Sequence, residues 1–179
     1  ISIDDYILNV KNNLSEKKFK EIKDISVKFI LDDIKKTLKL SGINFDSWFL
    51  ESSLIDNGDL KDIIKYLREN NNTYERDNAL WFKSQELGDE KDRVLIKENK
   101  DHTYLSTDIA YHKNKISRSF NRVINIWGAD HHGYVSRING AFNIFAKGKS
   151  KLIVLLVQFA NLYRGKSKVS MSTRSGDFV

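Results

Sequence analysis

The 179-residue chain has no cysteine. That excludes disulfide staples and thiolate metal sites, and it fits a reducing cytosol. Long hydrophobic runs are missing too: the longest purely aliphatic stretch, Leu152 to Val157, is far too short to cross a bilayer. No signal-peptide pattern opens the chain, no internal repeat or low-complexity segment interrupts it, and no phosphate-cradling Walker-type sequence occurs. What is present suits a folded protein, because 40% of the residues are apolar and a packed core is within reach. The net charge of +6 is compatible with a polyanionic partner such as RNA. The lysines are nevertheless spread along the whole chain among acids, which is equally the pattern of solvated helix surfaces. The chain opens on Ile1 and ends on Val179 after a glycine-containing loop, so it is expected to be a piece of something longer.

Periodicity divides the chain into elements. From Ser15 to about Leu40 apolar residues recur at three- and four-residue steps (Phe19, Ile22, Ile25, Phe29, Ile30, Ile34, Leu38), which predicts a helix with Gly42 as its left-handed cap. Asn57-Gly58 reads as a turn before a second helix over about Asp59 to Glu69, with Leu60, Ile63, Ile64 and Leu67 on one face. Asn72 to Arg76 and Ala79 to Lys83 flank Asp77-Asn78 and predict a tight hairpin, and Arg93 to Lys97 reads as a further strand. A short helix is expected to start near Ser106-Thr107 and to carry Ile109, Tyr111 and His112. Val123 to Trp127 reads as a buried strand, a helix follows from about Asp130, and Lys151 to Phe159 supplies a second aliphatic strand. Strand, helix and strand at these lengths predict a parallel crossover unit. The fold class is therefore α/β, with an expected division into a helical and hairpin segment (1–85) and an α/β segment (86–179).

Three constellations could carry chemistry. In open α/β sheets ligands sit beyond the carboxyl ends of the parallel strands, and Gly128-Ala129-Asp130-His131-His132-Gly133 occupies that place. Gly128 lets a ligand approach, while Asp130 could accept from a ribose or equally cap the helix. The paired histidines tilt the balance toward a site. Neighbours on a helix point about 100° apart, so His131 and His132 do not grip one metal ion, and no protein-bound structural metal is expected. In the second constellation, Tyr104 and Asp108 lie about one turn apart and can face one cavity, where a carboxylate and a ring would hold a guanidinium or ammonium group. A surface carboxylate beside a half-buried tyrosine is the plainer alternative. The third is Lys166 to Gly176, rich in hydroxyls and cations, which could close over a triphosphate or form an ordinary basic surface loop.

Taken in order, these pieces resemble the bacterial arginyl-tRNA synthetase family. The resemblance is carried by Phe45-Asp46-Ser47-Trp48-Phe49, Glu51-Ser52-Ser53-Leu54, Ala79 to Phe82, Leu87 to Leu95, Tyr104 to His112, Trp127 to Tyr134 and Met171 to Gly176. It implies the second half of a class I synthetase Rossmann-like parallel sheet, with a mainly helical inserted segment carrying short hairpins. It further implies activation of arginine with ATP, Mg2+ accompanying the nucleotide, and transfer of the arginyl group to tRNA in the cytoplasm, without a membrane. By resemblance Tyr104 and Asp108 hold the arginine guanidinium, Gly128, Asp130 and His131 receive the adenosine ribose, and Met171, Ser172 and Arg174 belong to the signature loop that stabilises the transferring phosphates. Ser170 and Thr173 stand where class I enzymes usually carry lysines, which leaves Arg174 and Lys168 as candidate cations. The histidine-glycine-histidine signature of the class I fold, the anticodon-reading helical domain and the N-terminal tRNA-binding module are not in this sequence. The piece is thus expected to be inactive alone and, with half a sheet uncovered, open to self-association.

Other readings stay open. Asp130-His131-His132 echoes the name-giving motif of a manganese phosphoesterase family, which needs further strand-end aspartates for two metals. A non-catalytic RNA-binding module and a degenerate synthetase paralogue are the remaining alternatives.

Overall fold

The computed structural model describes residues 3–158 and 160–169. Two compact units emerge, one formed by Ile1–Trp48 with Asn161–Val179 and the other by Phe49–Ala160.

The first unit opens on helices α1 (Ile3–Asn13) and α2 (Glu16–Leu40). Ser15 caps α2, its hydroxyl accepting from the Lys18 amide at 3.4 Å. The far end closes as a Schellman motif: the Gly42 amide donates to the Lys39 carbonyl and the Ile43 amide to the Leu38 carbonyl. Gly42 has φ +74°, the left-handed conformation anticipated for it. The amphipathic pattern that predicts α2 does not lead to burial within the described residues. No residue of α2 is buried, and Phe29 is 72% exposed.

The second unit starts with a single helical turn, α3 (Ser53–Asp56), and α4 (Asp59–Glu69). Leu60, Ile63, Ile64 and Leu67 of α4 are all buried, as its spacing predicts. Strands β1 (Thr73–Arg76) and β2 (Ala79–Phe82) form the expected hairpin. Its two loop residues, Asp77 and Asn78, have φ of 52° and 55°, as a twist-matched two-residue turn requires. Strand β3 (Arg93–Ile96) pairs antiparallel with β2, giving a three-stranded sheet. The division expected at 85/86 lies in the loop between β2 and β3, and the compact units divide at 48/49 and 160/161.

Helix α5 (Tyr104–Ser117) follows, then β4 (Arg122–Gly128), α6 (Val135–Ala146) and β5 (Lys151–Val157). The β4 and β5 strands pair in parallel, from Arg122 opposite Lys151 to Gly128 opposite Val157. This is the predicted crossover, with α6 as the connecting helix. Leu54, Leu67, Phe82, Leu95, Ile138 and Phe142 are fully buried in one continuous core shared by α3, α4, the three-stranded sheet, and α6. Each stabilises the unit by about 1.5–3 kcal/mol relative to exposure. The close approach of α6 to the loop after β2 depends on Gly140, where a Cβ would lie 2.6 Å from Leu87 Cβ.

The parallel strands differ from the expectation in one respect. Val123 and Asn125 are buried against the helices, but Ile124 and Ile126 are exposed on the other face. A run of apolar residues reads as a strand buried on both sides, yet within this unit only one face of the sheet is covered.

The first unit ends in a hairpin absent from the sequence-based expectations, β6 (Leu162–Arg164) and β7 (Ser167–Val169). Gly165, with φ +64°, opens its two-residue loop.

Candidate active site at the carboxyl end of the parallel strands

Gly128 ends β4 with extended backbone (φ −64°, ψ 148°), and the chain turns in the six residues after it. Ala129–Tyr134 form a 3-10 turn, so α6 begins at Val135, five residues later than the pattern suggests. Neither the turn nor α6 has a side-chain cap. The Asp130 side chain therefore caps neither the turn nor α6. Its carboxylate is about half exposed, with His131 Nε2 3.6 Å away. The His131 ring leans on Trp127 at 6.1 Å between centroids, and Trp127 also meets Tyr134 at 5.8 Å.

Asp108 projects from the second turn of α5. Its Oδ2 accepts a 2.6 Å hydrogen bond from the Tyr134 hydroxyl, so the helix and the strand-end turn are joined in one site. Burial raises the Asp108 carboxyl above the usual carboxylate range; the Tyr134 bond works against that rise, the Glu51 charge adds to it, and Lys115 and His131 oppose it. Burial and the neighbouring carboxylate push the Tyr134 hydroxyl far up, so it remains a protonated donor.

A second polar chain backs this pair. His112 Nδ1 donates to the Asp108 carbonyl at 2.7 Å, which fixes the tautomer and leaves Nε2 as an acceptor. Asn125, inward-facing on β4, donates to Nε2 at 2.7 Å and accepts from Lys115 Nζ at 2.8 Å. Every member has its partner, which makes an amide tolerable in the middle of a buried strand face. Burial lowers His112 to about 4 and Lys115 to about 8. The Lys115 ammonium also lies 4.2 Å from the Tyr111 ring centroid.

Tyr104 stands apart from this cluster. It is 89% exposed and lines an open cleft of about 900 Å³ with Glu51, Lys97, Lys100, His102 and Thr107. Asp108 is drawn instead toward Tyr134. Met171, Ser172 and Arg174, assigned to the signature loop by resemblance, lie outside the described residues. The Tyr134 hydroxyl and the Lys115–Asn125–His112 chain escaped sequence reasoning. The one available signal was polar Asn125 between Ile124 and Ile126 in a mostly apolar strand. Among the described residues, no group of three or more His, Asp or Glu is placed to hold a metal ion, and no helix is long and apolar enough to cross a membrane.

A parallel crossover with a turn open to ligands at its strand end, and a polar cluster on the adjacent helix, is the carboxyl-end site of a Rossmann-like α/β fold. The chain matches the family described as tRNA synthetases class I (R), catalytic domain, over residues 5–179, and belongs to it. It is 49% identical to the arginine–tRNA ligase of Legionella pneumophila (strain Corby), across 99% of this chain and 30% of the relative. The arginine–tRNA ligase of Thioalkalivibrio sulfidiphilus is 47% identical over the same shares. Among solved structures, a putative arginyl-tRNA synthetase from Campylobacter jejuni superposes with a TM-score of 0.78 at 37% identity, over 90% of this chain and 35% of that one. The arginyl-tRNA synthetase of Plasmodium falciparum, at 18% identity and a TM-score of 0.67, shares the fold. The chain spans about 30% of the length of the curated relatives it matches.

Proposed function

We propose that the full-length protein joins arginine to its tRNA through an arginyl-adenylate, with this segment supplying the guanidinium pocket and the ribose-binding turn. The carrying observation is the half-buried Asp108 carboxylate, held by Tyr134 beside the strand-end turn and facing the charge of Glu51. A carboxylate whose ionisation is opposed by burial and by a neighbouring negative charge is relieved by a cation beside it, and a guanidinium is the cation whose planar donors suit a carboxylate best. Tyr104 would flank the entering side chain from the open cleft. At the strand end, Gly128, Asp130 and His131 are exposed or half-exposed, and neither Asp130 nor His131 caps the turn with its side chain, which suits them to a ribose.

In the first step the arginine carboxylate attacks the α-phosphate of ATP, the bond to the β-phosphate breaks, and pyrophosphate leaves. In the second, a ribose hydroxyl at the tRNA 3′ end attacks the adenylate carbonyl and AMP leaves. Protein groups position the reactants and offset charge, without a covalent enzyme intermediate. Mg2+ enters with ATP as part of the substrate. Ser172 and Arg174, with Met171, would close on the nucleotide as the resemblance implies, and the reaction would run in the cytoplasm.

The decisive measurement is arginine-dependent ATP–pyrophosphate exchange by the full-length protein with its tRNA present. Asp108→Ala is expected to abolish arginine dependence while the protein stays folded. Exchange unaffected by that substitution would remove the pocket assignment. Folded wild-type protein with no exchange at all would favour a paralogue or an RNA-binding module.

A further inference from the structure

The stretch Leu87 to Arg93 carries part of the family resemblance but holds none of the residues assigned to arginine or ATP. Its centre is Asp89, whose side chain is wholly buried. Arg93 donates to it twice, Nε to Oδ2 at 2.9 Å and Nη2 to Oδ1 at 3.1 Å. The Glu90 amide donates to Oδ1 at 2.8 Å, and Arg137 Nε reaches Oδ2 at 2.8 Å across 48 residues of sequence. Arg137, anchored in this way, lies over the Tyr134 ring, with its guanidinium carbon 4.8 Å from the centroid. Tyr134 in turn donates to Asp108 Oδ2. Gly140 stands one helical turn beyond Arg137, and its lack of a side chain lets Leu87 press directly on α6. The loop that carries Asp89 is therefore pinned to the helix beside Arg137.

We infer that Asp89, Arg137 and Tyr134 form a strut that sets the orientation of the Asp108 carboxylate, making Tyr134 a positioning residue for arginine specificity. This rests on the arginine pocket proposed above. A tie between loop and helix alone would be served as well by apolar packing, since a buried ion pair is no more stabilising than well-packed hydrophobic residues. Here the linked groups end on the carboxylate that faces the ligand. By engaging Oδ2, the hydroxyl fixes the rotation of the carboxylate and leaves Oδ1 directed elsewhere. Without that donor, burial and the Glu51 charge would favour the protonated acid, and a neutral acid holds a guanidinium poorly. Glu51, Lys115, His131 and Tyr134 are the titratable groups acting on Asp108, and His112 is bonded to its backbone.

The test uses the full-length protein with tRNA, measuring exchange as a function of arginine, ATP and pH. Tyr134→Phe is expected to raise KM for arginine about tenfold, with kcat and KM for ATP nearly unchanged. The acid limb of kcat/KM for arginine should also move to higher pH, because the lost bond lets the Asp108 carboxyl protonate more readily. Arg137→Met is expected to do the same more weakly, and to add little in the Tyr134→Phe background. A Tyr134→Phe enzyme with unchanged arginine KM and an unmoved acid limb overturns the strut. Fully additive effects of the two substitutions overturn the route through Arg137. Should Tyr134→Phe misfold, Arg137→Met, which leaves the hydroxyl in place, decides by the same two readouts. If Asp108→Ala leaves arginine dependence intact, the pocket itself fails, a result distinct from failure of the strut.

Discussion

His112 is neutral because its surroundings leave it no other choice. Burial holds it down to about 4, its Nδ1 proton is committed to a carbonyl, and its Nε2 lone pair is taken by Asn125. The unfolded chain binds that proton more readily than the folded one. Stability from the neutral ring is therefore complete above about pH 6.5 and is lost as pH falls toward 4, by about 3 kcal/mol in all. Urea midpoints of the full-length protein between pH 7.5 and 4.5 should show this fall, and His112→Gln should remove that share of the slope. Asp89 is the opposite case: despite its burial, Arg93, Arg137 and the Glu90 amide hold its carboxyl well below the usual range. Asp89→Asn leaves two guanidinium groups facing an uncharged partner and should cost roughly 3 kcal/mol in urea denaturation. Asp108 and Asp130 were legible in the sequence as candidate residues. Which groups they meet was not legible, because Tyr134 reaches Asp108 across 26 residues and Arg137 reaches Asp89 across 48.

Elements defined by local chemistry were legible almost to the residue. The hairpin around Asp77-Asn78, helix α4 and the Gly42 cap follow from turn residues and periodicity that act within a few positions. The start of α5 did not, and the reason is specific. Ser106, read as a helix-capping hydroxyl, instead donates to the Leu95 carbonyl of β3 at 2.6 Å, and the Thr103 hydroxyl donates to the neighbouring Val94 carbonyl at 2.8 Å. A hydroxyl that serves a neighbouring strand leaves no local trace, so the helix starts two residues early, at Tyr104. The same contrast separates two glycines. Gly42→Ala forces a left-handed backbone on a residue with a Cβ and should cost about 1 kcal/mol. Gly140 has ordinary helical backbone, and an alanine there would usually stabilise a helix. Its new methyl would collide with Leu87 Cβ at 2.6 Å and the Leu87 carbonyl oxygen at 2.9 Å, so Gly140→Ala should destabilise by about 1–3 kcal/mol. Thermal or urea melts of the two variants side by side check both values.

At the scale of the molecule, the half-covered parallel sheet was the least legible feature. Ile124 and Ile126 alternate with Val123 and Asn125 in a way that specifies a strand but not whether a second layer exists. Ile126 is 68% exposed, and Leu155 and Val157 continue the apolar surface on β5. Exposed apolar surface of this kind associates. The 179-residue piece on its own is accordingly expected to sediment as more than a monomer and to give no arginine-dependent exchange. A monomeric piece with measurable turnover would contradict both statements. The same face bears on how substitutions should be ranked. A lysine at Ile126 would stay mostly exposed in this segment, so a screen for soluble expression of the piece would score it as an improvement. In a longer chain whose remaining layers pack on that face, the same lysine would become an unpaired buried charge. Mutational tolerance scored on the segment and on the whole protein should therefore diverge along β4 and β5, and agree around Phe82, Leu95 and Phe142, whose neighbours are already all present.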